Sequence, residues 1–219
     1  GTFGYAEEFR DFMDLRKLGA IVTKTITLNP RRGNPPPRTC ETPAGMLNSI
    51  GLENPGVEVF IQEKLPFLKK IGIPIIMSIA SEGNPEEFIK LVSRLDKIGG
   101  VSAFELNLSC PNIKGSKLIS QDPKATYNVV KMVRKKTRKT LIAKLSPNVT
   151  DIAEIARQAE RAGSDAVSLI NTLSGMGIDV NTRKPKIASV TAGLSGPAIR
   201  PIAVRMVWEV YQKIKIPII

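Results

Sequence analysis

The chain has 219 residues, a formal net charge of +12, 42% hydrophobic residues and only 5% aromatic ones, so it can close one sizeable and mainly aliphatic core. It has no histidine and two cysteines, which excludes Ser-His-Asp and Cys-His catalysis and any His-ligated metal; the absence of a disulfide framework fits a reducing, cytoplasmic compartment. The start, GTFGYAEEF, lacks the basic and apolar regions of a signal peptide, and no uncharged apolar run approaches the ~18 residues of a membrane helix, so no membrane association is expected.

In chain order, the first strand is expected over 19–26 (GAIVTKTI). Residues 29–56 follow as the longest stretch without obvious regular structure, with six prolines and four glycines. Met46, Leu47, Ile50 and Leu52 within it favour a folded loop that covers something. A helix is predicted over 57–71, a strand over 73–80, a helix over 84–98 and a strand over 102–109. Then come a helix over 123–137, a strand over 140–146, a helix over 151–163, a strand over 165–171, a helix over 197–214 and a strand over 216–219. Asn84-Pro85, Asp122-Pro123 and Thr150-Asp151 with Glu154 are helix starts. This alternation implies a parallel sheet with helical crossovers, hence an α/β fold.

The basic run 134-RKKTRK-139 ends a helical pattern, where cations are favoured. Cations are otherwise spread along the chain and no aromatic punctuates a basic stripe, so no nucleic-acid partner is expected. The glycine-rich 191-TAGLSGPAI-199 reads as a turn that opens a helix at Pro197 and presents backbone N–H groups to an anion.

Strands buried on both faces should be nearly continuous aliphatics. Here Lys24, Asn107, Lys144 and Asn171 interrupt or close four of them, towards the C-terminal end that carries the ligand site in barrels and open α/β sheets alike. A single such lysine could be an edge residue that reaches solvent; four strands with the same anomaly point to a site. Ammonium groups suit an anion or a ring that gains negative charge, and carboxamides suit a planar heterocycle with alternating C=O and N–H groups. Glu105 shares the face of Asn107 and could pair with a buried lysine. Cys110, between Asn107 and Asn112 in 104-FELNLSCPN-112, reads either as a small buried hydrophobe or as a thiolate base. Cys40 has no such company.

These residues sit in motifs that resemble the class 1 dihydroorotate dehydrogenases, most closely the class 1B catalytic subunit: NPPPR, ETPAGMLNSIGLENPG, ELNLSCPN, AKLSPNV, SLINTLSGM and GLSGPAI, in order along the whole chain. The resemblance implies a (β/α)8 TIM barrel, with about six of its eight strands within 1–219 as a single, incomplete domain truncated at both ends. It also implies that 29–56 covers the substrate and that the flavin phosphate site lies outside this stretch. The implied reaction is FMN-dependent oxidation of dihydroorotate to orotate in pyrimidine biosynthesis, with Cys110 as general base. Substrate contacts would come from Lys24, Asn48, Ser49, Ile50, Gly51, Leu52, Asn107, Asn112, Asn171 and Thr172. Flavin contacts would come from Lys24, Thr25, Ser78, Asn107, Lys144, Ile170 and Gly196. The implied partners are a second copy in a homodimer and an electron-transfer subunit, holding FAD and a [2Fe-2S] cluster, that passes the electrons on to NAD+. Two features depart from the pattern: Ser78 stands where class 1B has an Asn, and the loop at 113–123 is short. Alternatives are a dihydropyrimidine dehydrogenase-like flavoenzyme, which favours His where Asn112 stands, or a non-catalytic protein derived from the barrel.

Overall fold

A computed structural model describes residues 3–108 and 119–219. In chain order its strands are β1 (Ile21–Val22), β2 (Thr39–Thr42), β3 (Gly45–Asn48), β4 (Ile75–Ile79), β5 (Val101–Asn107), β6 (Thr140–Lys144), β7 (Ala166–Ser168), β8 (Leu173–Met176), β9 (Ile178–Asp179), β10 (Lys184–Pro185) and β11 (Thr191–Ser195). The helices are α1 (Gly56–Val59), α2 (Leu65–Ile71), α3 (Glu86–Leu95), α4 (Pro123–Arg134), α5 (Ile152–Arg161) and α6 (Arg200–Tyr211).

Five strands form one parallel sheet in the order β1-β4-β5-β6-β7, with helices as crossovers. The order follows the sequence, as in a curled half-barrel rather than a doubly wound sheet. A sixth segment extends it: Ile218 bridges Val167 in parallel, the Val167 N–H donates to Pro217 O at 3.0 Å and the Ile219 N–H to Val167 O at 2.9 Å. The strand expected over 216–219 is thus present as a single bridge. The fold is α/β, a partial TIM barrel.

Helices α4 and α5 begin where a short polar side chain replaces missing backbone partners. Asp122 accepts from the Lys124 and Ala125 N–H groups before Pro123, and Asp151 accepts from the Glu154 N–H. Their apolar stripes then pack on the sheet. Phe88, Leu91, Val92 and Leu95 of α3 are all buried, each contributing about 1.5–3 kcal/mol. Between α1 and α2 the chain winds as a π-helix over Phe60–Lys64, just before Pro66. Pro66 has no N–H to give and its ring crowds the preceding turn, and the wider winding absorbs both effects.

Alternation along the strands sorts the side chains. Met77, Ile79, Phe104, Leu106 and Leu141 join the aliphatic layer, whereas Ser78, Glu105 and Asn107 share the opposite, barrel-interior face.

Two expectations are corrected. Residues 29–56 contain the hairpin β2–β3, and 191–195 is strand β11 rather than a turn. Both belong to a four-stranded antiparallel sheet in the order β2-β3-β11-β8, with β9 and β10 as a separate ribbon. The hairpin is held by main-chain pairing with β11, which sequence periodicity cannot register because its side chains are mostly half-exposed.

Candidate functional site

The C-terminal ends of the parallel strands form the floor of the site. Register places Ser78 beside Glu105, and Asn107 beside Lys144, which in turn pairs with Ser168. The first strand reaches this floor through a bulge: from Val22↔Ile76 to Ile26↔Ile79 it advances four residues while β4 advances three. A bulge re-aims side chains at a strand end, and this one spans Thr23, Lys24 and Thr25.

Four buried polar side chains meet there. Ser78 Oγ donates to Glu105 Oε1 at 2.9 Å, Ser78 Oγ lies 2.9 Å from Thr25 Oγ1, and Asn107 Nδ2 donates to Thr25 Oγ1 at 3.3 Å. Among the described residues, Glu105 therefore pairs with the Ser78 hydroxyl, and no ion pair joins it to a lysine. Burial pushes the Lys24 ammonium below the ordinary lysine range; Glu53 opposes that shift and Arg38 adds to it.

The segment 48–52 carries a second group of the expected substrate residues. Its backbone is pinned by the proline-rich stretch before it: the Ser49 N–H donates to Arg38 O at 2.8 Å, and Asn34 Nδ2 donates to Ser49 Oγ at 2.8 Å and to Ser49 O at 3.0 Å. Ile50 O accepts from the Asn34 N–H, and Gly51 O from Arg31 Nε. Gly51 has φ +77°, and a Cβ there would meet Asn34 at 2.7 Å, so the close approach requires glycine. Leu52 also takes a positive φ, 55°. An ion pair between Arg38 and Glu53 closes the segment.

Strand β11 joins the two groups of expected substrate residues. Asn48 pairs with Gly193 and donates Nδ2 to Gly193 O at 3.4 Å, while a Cβ on Gly193 would lie 2.0 Å from Thr172 Oγ1. The Asn171 N–H donates to Leu145 O at 3.1 Å, its Oδ1 accepts from the Thr172 N–H at 2.8 Å, and the preceding Leu169–Ile170 peptide is cis. Ile170 is half-buried against the core. Gly196, by contrast, follows β11 and lies against the β2–β3 turn, where a Cβ on it would be 2.9 Å from Gly45 Cα. Cys110 and Asn112 lie outside the described residues. Among the described residues, no group of His, Cys, Asp or Glu is arranged to hold a metal ion, and no helix is long and apolar enough to cross a membrane.

Three structural residues escaped the sequence reading. Asn34 holds Ser49, and Asn54 joins the ends of β1 and of the 48–52 segment to α1. Asn148 bridges Ser146 Oγ, Thr172 O and the Ser174 N–H. Asn54 and Asn148 belong to the motifs ENPG and SPNV, and an Asn beside Pro in a loop is the signal of a side chain that bonds backbone.

The family model described as dihydroorotate dehydrogenase matches residues 1–219. Curated relatives named dihydroorotate dehydrogenase B (NAD(+)), catalytic subunit, are similar throughout. The Geotalea uraniireducens protein is 54% identical over 221 residues, covering 100% of this chain and 72% of that protein. The Trichlorobacter lovleyi protein is 54% identical over 220 residues with the same coverage, and that of Desulforudis audaxviator is 54% identical over 220 residues, covering 71% of its length.

Proposed function

Because the chain belongs to the dihydroorotate dehydrogenase family, we propose that it oxidises dihydroorotate to orotate in pyrimidine biosynthesis, with FMN as its flavin and 1–219 as one barrel unit. The observation that supports this beyond kinship is the polar cluster of Thr25, Ser78 and Asn107, with Lys144 in register beside it, at the C-terminal end of a parallel sheet. Hydroxyls, a carboxamide and an ammonium are the donor set a planar isoalloxazine needs, and these residues fit it. Thr25, Ser78, Asn107, Lys144, Ile170 and Gly196 would hold the flavin together with Lys24.

When bound, FMN supplies a two-electron acceptor for the hydride that leaves C6 of dihydroorotate. The chain's own residues do the rest. The Cys110 thiolate removes the proton from C5, so that the C5–C6 bond becomes double as both hydrogens depart. The thiolate, not the thiol, is the form able to take that proton. Asn48, Asn107, Asn112 and Asn171 read the C=O and N–H groups of the pyrimidine, with Thr172 beside them, and Lys24 balances the substrate's negative charge. Ser49, Ile50, Gly51 and Leu52 form the inner surface of the 29–56 cover and shield the ring from water.

The relatives are named catalytic subunits that use NAD(+). By extension, electrons leave this chain for a partner subunit with FAD and a [2Fe-2S] cluster, and the catalytic chain forms a homodimer in the cytoplasm. The test is an anaerobic visible spectrum of the chain with FMN, before and after dihydroorotate is added. Bleaching of the bound flavin, lost in Cys110→Ala while flavin binding persists, is the expected result. Equal bleaching in Cys110→Ala would overturn the assignment of the base, and no bleaching in the unmutated, flavin-loaded chain would overturn the reaction.

A further inference from the structure

We propose that Glu105 is a positioning residue: acting through Ser78 and Thr25, it sets which end of the Asn107 carboxamide faces the barrel wall and which end faces the ring bound above. This rests on reading the strand ends as the substrate and flavin site.

The argument follows the protons. Glu105 Oε1 accepts from Ser78 Oγ at 2.9 Å. A serine hydroxyl has one proton, so once it is given to Glu105 the 2.9 Å contact between Ser78 Oγ and Thr25 Oγ1 must be donated by Thr25. The single proton of Thr25 is then committed as well. Its oxygen can only accept from Asn107, and the nitrogen end is the only end of that carboxamide able to donate, as it does at 3.3 Å. The oxygen end of Asn107 is thereby turned away from Thr25. A carboxylate at the head of the chain accepts and never donates, so it sets the direction of every bond after it. A neutral amide in its place can donate or accept, and the whole relay can then reverse.

The surroundings support a role beyond packing. Thr25 is 6% exposed, Ser78 0%, Glu105 3% and Asn107 8%, so water does not compete for these bonds. Ile142, which pairs with Glu105 across β5 and β6, is apolar, as is Ala166 beyond it. A carboxylate in that row costs stability that an aliphatic side chain would not. The orotate ring alternates carbonyl and N–H groups, so a carboxamide presented the wrong way round replaces a matched contact with a repulsive one.

The test uses the full chain and orotate as the probe. Orotate affinity and melting temperature are measured for the unmutated protein, Glu105→Gln, Ser78→Ala, the double variant and Ser78→Thr. In protein labelled with nitrogen-15 asparagine, the side-chain amide signals of Asn107 are followed in parallel, assigned by their loss in Asn107→Asp. Glu105→Gln and Ser78→Ala are each expected to weaken orotate roughly tenfold and to shift the Asn107 amide signals. The double variant should bind no more weakly than either single one, and Ser78→Thr should retain affinity. Losses that add in the double variant, or unshifted Asn107 signals in folded Ser78→Ala, overturn the relay. Should Glu105→Gln fail to melt cooperatively, Ser78→Ala against Ser78→Thr decides alone. An unmutated chain that binds no orotate overturns the reading of the site instead, while the amide signals still decide the relay.

Discussion

Replacing Asn54 with alanine should be among the most damaging single changes outside the apolar core. Asn54 is 6% exposed, and its Oδ1 accepts from the Thr27 N–H at 3.2 Å and the Gly56 N–H at 2.9 Å. Its Nδ2 donates to Leu52 O at 2.7 Å and to Thr27 Oγ1 at 2.9 Å, the Thr27 hydroxyl proton being given to Asn29 O at 2.6 Å. Alanine leaves two buried backbone N–H groups and one half-buried carbonyl without partners. Each orphaned group costs about 1–3 kcal/mol, so the three together give an expected loss of about 3–9 kcal/mol, a large part of the ~5–15 kcal/mol that holds a domain together. Urea unfolding with the slope held common measures it. Asn54→Asp keeps the acceptor for Thr27 and Gly56 but sets an oxygen against Leu52 O, so it should recover only part of the loss. A loss below about 1 kcal/mol in Asn54→Ala, or equal losses in the two variants, would refute the accounting.

Two further outcomes are expected. Gly193→Ala drives a Cβ into Thr172, so it should cost about 1–3 kcal/mol of stability and also weaken orotate binding; unchanged affinity would separate β11 from the substrate site. Lys24 titrates below the ordinary lysine range, so the unfolded chain binds more protons there than the folded one. Its charge therefore opposes folding below the folded pKa, and the penalty fades as pH rises through that value towards the unfolded ~10.4. Lys24→Met should be the more stable protein at neutral pH, with the gap closing on the alkaline side; a gap that stays constant with pH would refute the assignment.

Much of the parallel sheet was legible because each of its strands is a local aliphatic run closed by turn residues, and its crossover helices α3, α4 and α5 carry periodic apolar stripes. Asp122 and Asp151 cap where their sequence contexts indicated. The antiparallel sheet was not legible. Strands such as TCET and LSGM alternate no apolar residues, and main-chain bonds to distant strands decide their pairing. The same holds for Glu105, whose chemistry is plain in the sequence but whose partner is not.

By itself, then, the sequence determined the order of the parallel strands and their crossover helices, the residue types that close those strands and, through its motifs, the family. Only the tertiary structure decided which polar groups touch. Thr25 and Ser78 are 53 positions apart, and Asn107 lies 82 from Thr25. Their meeting depends on parallel register and on one extra residue in the first strand, both set by the neighbouring strands rather than by the local chain.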